Sequence, residues 1–142
     1  MHPLNRISIS KLVLKALSVL FFLGTAFTCV SQNSYDHWAF GSGMHIDFTS
    51  GTPTISCNTS INSQEASAVW SNPVTGAFLA YTDGNTVYNG QTNATLSNGT
   101  GLTANSSSIE SALILPKPGQ TLNDIYIFHN NITNTYWSEA DL

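Results

Sequence analysis

The stretch Gly76 to Gly90, GAFLAYTDGNTVYNG, sets two short runs of strand-forming residues on either side of an acidic, glycine-centred turn. Phe78, Ala80 and Thr82 alternate with Leu79, Tyr81 and Asp83, the period of a strand with two faces. Asp-Gly between alternating strands is a strong hairpin cue, because a tight primed turn needs positive φ and matches the twist of its strands. The stretch therefore predicts a hairpin closed at Asp83-Gly84-Asn85, with Asp83 a turn residue before it is anything else.

The flanking chain reads the same way. Beyond residue 31 there is no helical periodicity, and Gly, Pro, Asn, Asp and Ser recur roughly every 8 to 12 residues, the pattern of an all-β chain. HWAFG and MHIDF read as strands split by Gly41-Ser42-Gly43, and Gly51-Thr52-Pro53 leads to TISCN. NTSINSQEA has the look of a loop, and ASAVWS, AFLAYT and TVYN follow as strands, the first two joined by Asn72-Pro73-Val74-Thr75-Gly76. After a polar stretch from Gly90 to Ser108, SALILP is continuously apolar, as a strand buried on both faces would be. DIYIFHN instead alternates, with Ile125, Ile127 and His129 on one face and Tyr126, Phe128 and Asn130 on the other. The last run, TYWSEADL, is strand-like up to Asp141-Leu142, and the chain is expected to be the front part of something longer.

The first 31 residues are of another kind. Arg6, Lys11 and Lys15 precede the apolar run ALSVLFFLGTAF, Ala16 to Phe27, which has the length of an export leader's core and is too short to span a bilayer. Residues 1–31 are read as a signal peptide cleaved after Ser31, with lipidation at Cys29 as the weaker alternative. Cleavage would leave about 110 residues, enough for one modest core.

Removing the leader takes three of the four basic residues and leaves Lys117, whereas all 8 acidic residues remain. Such a chain cannot neutralise a row of phosphates, so nucleic acid and anionic membrane surfaces are poor partners, and no membrane insertion is expected after leader removal. Cys57 is left without a partner for an internal bridge and reads as a small half-buried residue, since no basic neighbour favours its thiolate.

The order of motifs is distinctive. WAFGSGMHIDFTSGTP, EASAVWSNPVTGAFLAYTDGNTVYNG, LSNGTGLTANSSSIESALILPKPG, DIYIFHN and YWSEADL follow one another from Trp38 to Leu142. This resembles the amino-terminal propeller-like region of large secreted surface proteins of gliding-type Gram-negative bacteria, the group with a type IX sorting tail. The resemblance implies antiparallel four-stranded blades of a β-propeller-like domain over 32–142, export to the outside or the cell surface, and adhesion work. The chain departs from that pattern in ending where further blades would continue and in lacking the sorting tail. A blade takes roughly 40 to 50 residues and four to eight close a ring, so two or three blades of an incomplete fragment are expected, with further blades as partners.

Candidate chemistry is sparse. Asp83 and Asn85 could begin a calcium loop, but TVYNG supplies none of the carboxylates such a loop needs, and the turn reading outweighs it. His45 and Asp47 would share a strand face, with His37 and His129 elsewhere, and no close set of three or four zinc ligands appears. Ser106 to Ser108 lie in a Gly/Asn-rich loop outside any nucleophile elbow, and Glu65 and Glu110 are an unremarkable pair for a glycosidase. No catalytic residue, metal or cofactor is assigned.

Aromatic residues argue better for binding. Trp38, Trp70 and Tyr81 read as core, whereas Tyr136 and Trp137 are the candidate ligand-binding residues, for an extracellular glycan or a protein. Sequons at Asn58, Asn93, Asn98, Asn105 and Asn131 support exposed loops. The expected function is a non-enzymatic exported scaffold or adhesive binding segment. The alternatives are the non-catalytic front of a secreted polysaccharide-degrading hydrolase and a small carbohydrate-binding β-sandwich.

Overall fold

The computed structural model describes residues 33–105 and 111–142; the leader with Cys29, the Ser106 to Ser108 run and Glu110 lie outside them. The described chain is all-β. A 3-10 turn at Asn33–Tyr35 precedes β1 (His37–Ser42), β2 (Met44–Asp47), β3 (Thr54–Ser56), β4 (Asn62–Ser63), β5 (Ala68–Ser71), β6 (Phe78–Thr82), β7 (Thr86–Asn89), β8 (Thr95–Thr100), β9 (Ala112–Pro116), β10 (Asp124–Asn130) and β11 (Thr135–Asp141). They form three antiparallel sheets, ordered β3-β2-β1-β4, β5-β6-β7-β8 and β11-β10-β9. No helix among the described residues is long and apolar enough to cross a membrane.

The second sheet grows from the GAFLAYTDGNTVYNG stretch. Its central turn is wider than a two-residue primed turn, since Thr82 pairs with Val87 and Asp83 to Thr86 form the loop. Side chains close it. Asp83 Oδ1 accepts the amides of Asn85 and Thr86 at 3.0 and 2.8 Å, and Thr82 Oγ1 accepts the Gly84 amide while donating to the Thr86 carbonyl. A turn held this way needs positive φ at Gly84 alone, where it is +83°.

The two hairpins at the opposite end of this sheet share another device. Asn72 Oδ1 accepts the amides of Val74 and Thr75, and Asn89 Oδ1 those of Gln91 and Thr92. In each, the threonine hydroxyl then accepts an alanine amide, Ala77 or Ala94, and the residue between takes positive φ, Gly76 at +74° and Asn93 at +59°. The pattern is Asn-x-x-Thr-Gly/Asn-Ala, twice.

Strict alternation fails in β6. Trp70 pairs with Ala80 and Ser71 with Phe78, so Leu79 is an extra residue in a bulge. The slip brings Phe78 to the Tyr81 side, where the rings stack at 5.3 Å. Phe78 and Tyr81 then pack with Ala39 and Ile61 against the first sheet, while Trp70, Ala80 and Val87 pack with Ile114, Ile125 and Ile127 of the third. Each buried Val, Ile or Phe side chain among them contributes roughly 1.5–3 kcal/mol. The Trp70 indole N–H also donates to the Leu122 carbonyl at 3.0 Å, tying the second sheet to the third.

Four expectations change. The loop NTSINSQEA contains β4, which pairs with Gly41 and Ser42 because Ile61 beside it is buried. The polar stretch after Gly90 contains β8, which needs only Leu96 packed against the core. SALILP is covered on one face: Ala112 and Ile114 are buried, but Leu113 and Leu115 are 50% and 42% exposed, because the third sheet packs only its Ile114, Ile125 and Ile127 face into the core. Trp38, read as core, is 50% exposed: it lies on the opposite side of β1 from buried Ala39, with its ring against Phe48.

Candidate functional site

Tyr136 and Trp137 are neighbours in β11, so they point to opposite faces of the third sheet and cannot form one site. Tyr136 stacks on buried His129, ring centroids 5.7 Å apart. Trp137 is 60% exposed on the outward face. Register explains its company. Phe128 pairs with Trp137 on one side and Leu113 on the other, and Tyr126 pairs with Glu139 and Leu115, so all six side chains share that face.

Trp137 meets Tyr126 edge to face at 5.7 Å, and the two enclose a shallow hollow with Phe128. At its rim Lys117 Nζ donates to Glu139 Oε2 at 2.6 Å and lies 5.4 Å from the centre of the Tyr126 ring. The Glu139 hydrogen bond first, then the Glu139 charge with Tyr126 and Asp124, raise the Lys117 pKa. Lys117 opens the exposed turn to β10, accepting the Gln120 amide on its carbonyl, with Pro118 next in the chain. The face thus offers flat apolar rings bordered by a charge pair. The alternation of DIYIFHN already placed Tyr126 and Phe128 together; joining Trp137, Leu113 and Leu115 to them needed the strand register.

A second cluster joins His37 to the His45 and Asp47 pair that the sequence already places on one face. His37 lies across from Asp47 in the β1–β2 pair, and His45 and Asp47 do share a face. His37 Nδ1 is 2.9 Å from His45 Nε2 and 4.0 Å from Asp47 Oδ1, and both rings stack on Phe78 at 4.8 and 4.9 Å. These donors are already engaged: His37 Nε2 bonds the Gly76 carbonyl, and Asp47 Oδ1 accepts the Thr49 amide and hydroxyl. Two imidazoles on one tetrahedral zinc would stand about 3.3 Å apart, so 2.9 Å is a ring-to-ring hydrogen bond. Among the described residues no three His, Cys, Asp or Glu side chains converge as metal ligands. Burial and then the facing His37 lower the His45 pKa, against the pull of Asp47. Burial would raise Asp47, but its Thr49 bonds outweigh that and hold it low.

The other candidates serve structure or stand apart. Asp83 is buried and spent on its turn, with Tyr88 OH donating to its second oxygen at 3.3 Å. Cys57 is exposed, where half-burial was expected, because it follows the short edge strand β3. Glu65 is exposed as well. Of the sequons, Asn131 closes the β10–β11 turn and Asn93 accepts the Tyr81 hydroxyl, so their amides hold the fold, and Asn58 and Asn98 are exposed.

A groove of about 560 Å3 runs beside β1, β5 and β9, lined by Trp38, Val69, Trp70, Leu113 and Leu115 among others. No family model, curated protein or solved structure matches the chain.

Proposed function

We propose that this chain is a non-enzymatic binding segment of an exported surface or secreted protein, a scaffold of propeller-type blades whose working surface is the outward face of the third sheet. The blade reading is supported by topology. The second sheet is a plain four-strand meander and the third follows the same course through β9, β10 and β11. The leading strands β1, β5 and β9 lie side by side, as the inner strands of successive blades would. Export is supported by the apolar leader with its basic flank.

The observation that carries the binding role is Trp137, an exposed indole set among Tyr126, Phe128 and two exposed leucines. Exposed aromatic clusters with a polar rim are the anchors that extracellular glycans and protein surfaces use. The test compares the full chain with Trp137→Ala and Tyr136→Ala on a glycan array and on whole cells. Trp137→Ala is expected to lower retention about 10-fold or more, and Tyr136→Ala, on the opposite face, to leave it nearly unchanged. Glycan signals lost with Trp137 assign a carbohydrate, and cell retention with a silent array assigns a protein. Equal binding by Trp137→Ala and the parent chain overturns the reading.

A further inference from the structure

The hydrogen bonds around His37 and His45 form one chain whose protons can be counted. It starts at the Gly76 carbonyl, which only accepts, so His37 Nε2 carries a proton and donates at 2.9 Å. It ends at Asn58 Oδ1, which accepts the Ser56 hydroxyl proton at 2.8 Å. Ser56 Oγ therefore presents a lone pair to His45 Nδ1 across 3.5 Å. Between them, the link His37 Nδ1 to His45 Nε2 needs a single proton.

With both rings neutral, His45 Nε2–H donates to His37 Nδ1 and His45 Nδ1 is bare, so the contact with Ser56 is lone pair against lone pair. One added proton repairs this. His37 then donates from both nitrogens, His45 Nε2 accepts, and His45 Nδ1–H donates to Ser56 Oγ, so every link holds one proton. A second added proton would set N–H against N–H across 2.9 Å.

The surroundings suit one charge. Asp47 Oδ1, 4.0 Å from His37 Nδ1, is the carboxylate that faces the pair from the first sheet. The β6 side presents Phe78, whose ring lies against both imidazoles, and β3 presents Ser56. The turn presents Gly76, which the Asp36 carboxylate adjoins.

We propose that His37 and His45 form a one-proton latch between the first sheet and Phe78 of β6: the pair holds one added proton as a fully bonded chain, and a second proton parts the rings and disturbs their stacking on Phe78. An acidic exterior would thus loosen the packing of the first sheet on the second at Phe78.

Nitrogen-detected NMR of the histidines in the full chain, from about pH 8 to about pH 4, tests this. Both rings are expected to respond at each of two steps more than about one pH unit apart, with Phe78 ring signals moving at the acid step. Ser56→Ala, which removes the acceptor for His45 Nδ1–H, is expected to shift the first step to lower pH. His45→Gln is expected to leave His37 with a single step. Two rings that titrate once each, independently, or Phe78 signals that stay fixed through the acid step, overturn the proposal. The parent-chain titration decides it even if a variant fails to fold.

Discussion

A Cβ placed on Gly84 would stand 2.4 Å from the Ala104 Cβ, and the residue sits at φ +83°. Two independent objections therefore meet at one position, a backbone that L residues avoid and a contact with no room. Gly84→Ala is expected to destabilise the chain by about 2 kcal/mol or more, read as a lower urea midpoint with unchanged slope. Asp83-Gly84 was legible as a turn because its chemistry is local. The way the turn closes was not, since Thr82 and Asp83 act through side-chain bonds that a hairpin cue does not encode. Likewise Tyr136 and Trp137 were both legible as candidates, yet their separation onto opposite faces follows from strand alternation that could have been applied to TYWSEADL directly.

Among elements, the paired hairpins at Asn72 and Asn89 invite comparison because their loops are built alike. Replacing either asparagine by alanine leaves two amides without their acceptor. Since both loops are exposed and water can substitute, the expected cost is about 1 kcal/mol each, nearly additive in the double variant. Urea denaturation of the two single variants and the double checks this, and strong coupling would show that the loops support each other. β10 is legible in DIYIFHN because one of its faces is buried and the other only partly covered. β4 and β8 were missed because each relies on a single neighbouring or internal apolar residue, Ile61 or Leu96, too little to set a period. SALILP misled for the converse reason: apolar residues on an outward face look the same in sequence as those in a core.

At the scale of the molecule, His37, His45 and His129 stand at junctions between elements. His129 Nδ1 accepts the Thr103 amide at 3.2 Å, and its Nε2 faces the Ser138 hydroxyl, so the segment after β8 is bonded to a neutral ring of the third sheet. Burial lowers the His129 pKa, and His45 is shifted the same way. For a base whose folded pKa is depressed, the unfolded chain binds more protons as pH falls through the ordinary histidine value. The part of the stability that rests on neutral His129 is then complete above about pH 6.5 and declines below it. The urea midpoint is expected to be lower at about pH 5.5 than at about pH 7.5, and His129→Gln is expected to flatten part of that difference. The turn after β9 has a consequence of a different sort. From Gln32 onward Lys117 is the single site at which trypsin could cleave, and Pro118 follows it. Trypsin does not cut before proline, so this whole stretch resists that class of protease even when unfolded, a form of durability written into the chain and independent of how tightly it is packed.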